Sequence, residues 1–400
     1  MLQEAVLASS NTCYWGIRTF DLVDTVRAAA WLAYKSDFIS DSLRTCVGLC
    51  CASELFEILC PNPRFISRRE YLASMFMSIR QFEKTEPKDG IYAILGLLYK
   101  DTSLESSQAA LLEVDYAKPL SSVLRDATRY SLCQRGNLNA FNIINHHTDV
   151  LVDCHSFPTW AIRADQKQGA SDALPLPLHS KASGGLEAPS LLDDVCLGEE
   201  VLLLQGSVVD EVYQTTASCR RGTWENDEEF HEWLISVKDM VTSHCNVASR
   251  EELHLATAFT LVASRTWDGE RAQSSDMQVL LGYLKSLTSN KYGGASDGIR
   301  ITKGFDRGKT MSILNTSRVD YCIHRRFFIT RAGRVGIGPR CMQPDDIVVV
   351  LRGGGTPFIL RKKVNGYWLL GAAYVHGIMD GEAVQMHKAR GGLEEVFHMR

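Results

Sequence analysis

The chain has 400 residues, of which 45% are hydrophobic and 22% charged, the balance of a folded protein of two or three domains and not of a disordered one. Its 43 Lys and Arg stand against 47 Asp and Glu, a net charge of -4. That excludes the bulk positive field that duplex nucleic acid or an anionic membrane attracts. No apolar run approaches the roughly 20 residues that span a bilayer.

Met1-Leu2-Gln3-Glu4 places a carboxylate where a secretion signal carries positive charge, so the expected compartment is the cytoplasm. The 12 Cys are scattered along the chain. In a reducing compartment such thiols are expected to be small buried side chains. Cys46, Cys50, Cys51 and Cys60 come nearest to metal-ligand spacing, but no His or Cys pair follows at finger-like distance. No metal and no cofactor is expected.

In chain order, Ser67-Arg68-Arg69-Glu70 has the form of a capping box. Leu72, Met75, Phe76, Ile79 and Phe82 follow at helical spacing. Asp89 is placed to cap the next segment, Ile91 to Leu98, which is apolar on every side and predicts a short buried helix. Another helix is predicted from Ser121 to Arg135, with Gly136 as its left-handed stop. Asp165 to Ser190, with Pro175, Pro177, Pro189, Gly184 and Gly185, reads as a loop or linker. Val201 to Gln205 reads as a buried strand that Gly206 ends and that joins a sheet formed later in the chain.

Three more helices are expected. Asn226 and Glu229 open one through Phe230, Trp233, Leu234 and Val237, and Ser249 and Glu252 open a second through Leu253 and Thr257. The third carries Leu280, Tyr283, Leu284 and Leu287. A loose stretch from Thr288 to Gly304 precedes a change of grammar at Tyr321. Arg326 to Thr330, Val335 to Ile337, Ile347 to Leu351, Pro357 to Arg361 and Tyr367 to Leu370 are rich in β-branched and aromatic residues and separated by turns. Asn365-Gly366 is the strongest hairpin signal among them.

The fold class is therefore α+β: a helical N-terminal two thirds with a small C-terminal antiparallel β-barrel or sandwich. The divisions are a helical region 36–150, a linker 151–198 and the sheet-joining strand 199–215. A helical insertion 222–290 and a barrel-like domain 318–390 follow.

Several sequence features suggest chemistry. Gly333, Gly336 and Gly338 resemble a nucleotide fingerprint, but strands lie on both sides and Pro339 follows, where a phosphate loop needs a helix. Arg352-Gly353-Gly354-Gly355-Thr356 lacks a P-loop lysine and reads as a flexible loop. Tyr374, His376 and Asp380 form the most chemical-looking cluster, since a carboxylate can orient a His as a base; no nucleophile elbow accompanies them. Glu113 and Asp115 read as solvated or capping carboxylates, His146-His147 as loop surface, and Cys154-His155 as poorly placed for a dyad.

Arg325, Arg326, Arg331, Arg334, Arg340, Arg352, Arg361, Lys362 and Lys363 bias the tail positive, with Phe327, Phe328, Phe358 and Trp368 interleaved. Single-strand nucleic-acid binding is the functional reading. Strand alternation, with charges outside and aromatics inside, is the preferred one.

Several phrases resemble those of the fungal heterokaryon-incompatibility (HET) family. They are Met1 to Ala8, Asp89 to Leu98, Val114-Asp115-Tyr116, Phe157-Pro158-Thr159-Trp160, and the tail from Phe327 to Gly381. By that resemblance residues 1–35 are the end of a HET domain whose Ser-Tyr-x-Trp-Gly and Asp-x-x-Cys-Ile-Asn-Gln type blocks do not occur in the 400 residues. The resemblance implies a truncated relative or a misassigned start. The expected function is protein–protein contact in fungal non-self recognition. Neither enzymatic activity nor the death trigger itself is expected, and neither a nucleic-acid nor a membrane partner. The alternative is an enzyme, either a hydrolase around His376 and Asp380 or a relic of NAD-consuming chemistry.

Overall fold

The computed structural model describes residues 2–39, 46–60, 72–79, 82–98, 111–146, 157–165, 180–188, 200–220, 228–244, 250–266, 270–287 and 321–400. The chain forms two compact units, one of residues 1–136, 156–170 and 190–193, the other of 137–155, 171–189 and 194–400.

In the first unit, α1 (Leu2–Leu7) leads to a hairpin of β1 (Thr12–Trp15) and β2 (Arg18–Asp21), then to α2 (Leu22–Ile39), α3 (Val47–Leu59), α4 (Leu72–Ile79), α5 (Asp89–Leu95) and α6 (Leu120–Arg135). Asp21 ends the hairpin and starts α2 with one side chain. Its Oδ1 accepts the backbone N–H groups of Val23 and Asp24 at 2.7 and 3.2 Å, which a helix start otherwise leaves open. The predicted apolar face of α4, Leu72, Met75, Phe76 and Ile79, is buried and packs on α5, where Ile91 and Ile94 are buried too, as is Leu97 just beyond its end. Gly136 (φ 59°) stops α6 in the left-handed region.

Three expectations change here. Asp89 lies in the first turn of α5 and its carboxylate accepts the Tyr116 hydroxyl at 2.5 Å instead of capping the helix. Leu95 is only half-buried, because α5 has one outward side even though its sequence is apolar all round. The β1–β2 hairpin stands where only helix was expected. The Ser67–Glu70 capping box lies outside the described residues.

The second unit is built on a mostly antiparallel eight-stranded sheet, so the fold class is α+β. Its strands are β3 (Leu202–Thr215), β4 (Arg325–Thr330), β5 (Val335–Pro339), β6 (Ile347–Leu351), β7 (Phe358–Lys363), β8 (Gly366–Ala372), β9 (Tyr374–Val375) and β10 (Glu395–Met399). The order is β10-β8-β7-β6-β3-β4-β5-β9, and β10 also pairs with β3, so five of the strands close on themselves. The long strand β3 makes this possible. Its first residues pair with β10, its middle with β6, and its end with β4, with register shifts at Val209 and Tyr213. Bulges of this kind bend a strand so that it can serve successive neighbours.

Gly206 therefore does not end the strand. It lies where β6 comes so close that a Cβ would meet the Val350 carbonyl at 2.3 Å. At the β7–β8 hairpin the two turn residues are Val364 and Asn365, closed by the Lys363–Gly366 pair. Gly366 supplies the positive φ (140°) from inside β8, where the His398 carbonyl leaves no room for a side chain.

Strand β10 falls beyond the 318–390 division. The helices α7 (Glu228–His244), α8 (Arg250–Leu261) and α9 (Ser274–Ser286) pack on one another, and α8 also packs on β5. Phe230, Trp233, Leu234 and Val237 of α7 are buried, as are Leu280, Tyr283, Leu284 and Leu287 at α9. Asn226 and Ser249 lie outside the described residues, as do 166–179 of the expected loop and the Thr288–Gly304 stretch. A short helix, α10 (Glu382–Ala389), precedes β10. Among the described residues no helix is long and apolar enough to cross a membrane.

Candidate functional site

The cluster at β9 is built by the sheet and by the turn after α8. Ala263 (φ 47°) and Ser264 (φ 57°) both take the left-handed backbone there, an uncommon state for residues with a Cβ. That turn aims the Ser264 hydroxyl at the Tyr374 hydroxyl, 2.5 Å away. The Tyr374 hydroxyl in turn lies 3.3 Å from His376 Nδ1. The His376 ring stacks on Phe259, centroids 5.5 Å apart.

Burial pushes the Tyr374 phenol up to about 12, with the Ser264 hydrogen bond pulling weakly the other way. Burial also holds His376 below the ordinary histidine value, Glu382 offsetting part of this. A proton would have to leave a phenol of about 12 for an imidazole below 6.5, a steep uphill step. The row ties the end of α8 to β9; it is poorly set for proton transfer. Asp380, the expected carboxylate partner of His376, is instead paired with Arg271 at 2.6 Å, and both side chains are exposed.

The other sequence candidates resolve case by case. Gly336 and Gly338 belong to strand β5. A Cβ on Gly336 would stand 2.6 Å from the Phe328 ring, and one on Gly338 2.5 Å from the Met342 sulfur, so these glycines serve close packing. The Arg352–Thr356 loop, expected to be flexible, is held from several sides. Gly353 N–H donates to Leu186 O at 2.8 Å, Leu138 N–H to Gly353 O at 3.0 Å, and the Thr356 hydroxyl to Asn142 Oδ1 at 2.9 Å. Its glycines allow backbone to approach backbone.

Asp115 accepts the Ala117 N–H at 2.8 Å and Glu113 is exposed, so the two carboxylates form no acid/base pair. His146 is buried, contrary to the surface expectation, while His147, Cys154 and His155 lie outside the described residues. Cys219, Cys322 and Cys341 are buried, but Cys46 is exposed and Cys13, Cys51, Cys60 and Cys133 are half-buried, so burial is not general among the thiols.

The arginines of the tail are largely engaged inside the protein. Arg331 pairs with Glu211 and Asp345, each at 2.7 Å, and Arg334 with Asp210 at 3.3 Å. Arg352 pairs with Glu394, and Arg361 makes a two-pronged bond to Asp346. Arg325, expected outside, is fully buried and donates to Ala372 O at 3.1 Å. Strict alternation failed because a strand that is covered on both sides has no solvent face to give its charge. The aromatics Phe327, Phe328 and Phe358 are buried as expected, and Lys363 lies 3.7 Å over the half-buried Trp368 ring.

Sequence reasoning overlooked the β1–β2 hairpin. Tyr14 is 77% exposed, Trp15 80%, and Ile17 and Phe20 are exposed as well. Arg18 sits directly across from Trp15 in the ladder. The Gly16 turn (φ 61°), between two short β-prone runs, was the available signal.

Residues 307–392 match the Het-6 β-barrel domain model. Over 62 residues the chain is 45% identical to heterokaryon incompatibility protein 6, OR allele, of Neurospora crassa. The matched stretch covers 14% of this chain and 9% of that relative. No solved structure matches. By this tail domain, whose strands and closing phrases also carried the resemblance in the sequence, the chain is similar to the fungal heterokaryon-incompatibility proteins, and it spans less than a tenth of the length of the relative it matches.

Proposed function

We propose that these 400 residues act by protein–protein contact in fungal non-self recognition, neither as an enzyme nor as the death trigger itself, and that the β1–β2 hairpin is the contact surface. The observation that carries this reading is the hairpin's composition and exposure. Apolar surface left in water forfeits about 25 cal/mol per Å², and contiguous exposed patches of large apolar residues mark interaction sites more often than chance. Tyr14, Trp15 and Arg18 are the residue types that dominate binding energy at interfaces. The fitting partner is a protein surface with an apolar pocket for Trp15 and a carboxylate near Arg18. The five strands that close on themselves are, on this reading, the small barrel of the second unit.

The test is co-purification from the fungal host of the intact chain and of a Trp15→Ala, Ile17→Ser variant. A partner recovered with the first and lost with the second, at unchanged thermal stability, supports the reading; equal recovery refutes it. Expression of the chain should leave growth unaffected. Growth arrest that His376→Ala abolishes would replace this reading by the catalytic one.

A further inference from the structure

Among the described residues of the second unit, one segment outside the β9 cluster is held as a ligand is held. Lys181 to Glu187 belongs to none of the strands, yet its backbone is bonded on successive residues. Lys181 N–H donates to Met379 O at 2.9 Å, Ala182 N–H to Gly355 O at 3.2 Å, and Ser183 N–H to Gly354 O at 3.2 Å. In return Leu186 O accepts Gly353 N–H at 2.8 Å, and Glu187 O accepts Arg352 Nε at 3.4 Å. The receiving surface is made of glycine. A Cβ on Gly381 would lie 2.8 Å from the Gly184 Cα, and one on Gly353 2.6 Å from the Ala188 Cβ.

We propose that the groove between the Arg352–Gly355 loop and the start of α10 is a peptide-recognition site, filled here in cis by Lys181–Glu187. Recognition through main-chain groups, with pockets for a few side chains, is a general way of reading short peptides; this one is held as a turn, closed by Gly184 N–H to Lys181 O at 2.7 Å and Leu186 N–H to Ser183 O at 3.2 Å. No strand pairing of the sheet involves the segment, so its departure leaves the ladder whole. Pro175, Pro177 and Pro189 flank it in sequence, and proline lacks the N–H with which a flank would extend the bonded run.

The structure also states what such a peptide must look like. Position 182 is fully buried in the apolar cluster that also holds Val350, Phe328 and Met342, a setting that suits a small apolar residue. Position 183 is buried and small. Gly184 (φ 65°) and Gly185 (φ 79°) are both left-handed, the backbone state that glycine adopts without the cost a Cβ brings. Position 186 is half-buried Leu, whereas Lys181 and Glu187 point into solvent. The partner is therefore a protein segment of the order small, small, Gly, Gly, aliphatic. The chain's own copy competes with it at an effective concentration of about a millimolar, the scale for short tethers. This site is independent of the hairpin reading.

The experiment uses the full chain with protease sites placed within 170–176 and 191–197. After cleavage, the excised peptide should dissociate on dilution. A fluorescent Lys181–Glu187 peptide should then rebind saturably, and bind the uncut chain at least tenfold more weakly. Peptides carrying Ala182→Asp or Gly184→Val should lose at least tenfold in affinity. Two results overturn the proposal. One is a cleaved chain that keeps the peptide until it unfolds, or that unfolds as the peptide leaves, which would make the segment a fixed part of the core. The other is a Gly184→Val peptide that binds as well as the native one.

Discussion

Removing Arg361 should unfold the second unit more readily than any loss of apolar surface of the same size. Its Nε and Nη2 donate to the two oxygens of Asp346 at 2.8 and 2.9 Å, and Nη2 also donates to Cys341 O at 2.9 Å. The side chains are 15% and 2% exposed. Burial would lower the Arg361 pKa, but the hydrogen bonds and charge of Asp346 outweigh it and raise it, so the guanidinium stays charged in the folded chain. In Arg361→Ala the Asp346 carboxylate keeps the Gln343 N–H at 2.7 Å but loses its counter-charge. Breaking one side of a buried pair costs about 3–5 kcal/mol, and for a unit of this size about 1 kcal/mol moves the melting temperature by about 2–4 °C. A fall of roughly 10 °C is expected, read from the fluorescence of Trp368, which stands across from Arg361 in the ladder.

The companion Arg361→Met, Asp346→Asn removes both charges and keeps an acceptor for Gln343, so it should regain more than half of the loss. An Arg361→Ala variant within about 1 kcal/mol of the parent refutes the reasoning. So does a double variant no better than the single one.

In the first unit, Ile94→Ala should cost about 2–4 kcal/mol in urea unfolding, because Ile94 is buried; half-buried Leu95→Ala should cost clearly less, and equal losses would show that α5 is rotated. Thiol labelling at pH 8 followed by peptide mapping should modify Cys46 at once and leave Cys219, Cys322 and Cys341 untouched until unfolding. Burial pushes the Cys341 thiol up to about 12, so early labelling there would mean the sheet opens. Because His376 in the folded chain lies below its unfolded value of 6.5, the unfolded state takes up the proton first as pH falls. Stability is then full above 6.5 and declines below it; His376→Gln should flatten that acid limb, and an unchanged pH profile would show that the ring is not effectively buried.

The C-terminal strands were legible because β-branched runs between turn residues have one physical use, a covered sheet. Val348 to Leu351 and Phe358 to Leu360 are buried without alternation, as such runs imply. The rest was hidden for specific reasons. Strand β10 turns only Phe397 and Met399 inward, too few for a pattern of period two to stand out. At Gly206 a local rule, glycine as a stop, competed with a distant cause, the approach of β6, which no window of sequence contains. The Asn365-Gly366 signal located the hairpin but not its register, because the position of Gly366 is set by the His398 carbonyl of β10, about 30 residues on in the chain. The Tyr374, His376 and Asp380 group was visible as residue types. Its meaning depended on Ser264 and Arg271, more than a hundred positions earlier.

Charge shows most clearly why composition alone misleads about this tail. Read along the sequence, its arginines and aromatics make a plausible single-strand nucleic-acid surface. In space, β3 brings Asp210 and Glu211 beside the β4–β5 turn, where they hold Arg334 and Arg331, and Asp346 and Glu394 take Arg361 and Arg352. A guanidinium committed to a carboxylate in a fixed geometry offers a phosphate little, since the existing bond must be broken and the carboxylate left repelling the newcomer. The same residues therefore do opposite things depending on what a strand more than a hundred positions away delivers. Arg18 has a different environment. It is exposed beside Trp15 on a two-stranded hairpin, an element that is marginal by itself and is fastened at its end by Asp21 to the start of α2. Pairing in the tail engages its arginines with carboxylates of the same chain, whereas the hairpin leaves an aromatic and a cation side by side in water, residue types that are enriched at protein interfaces in general.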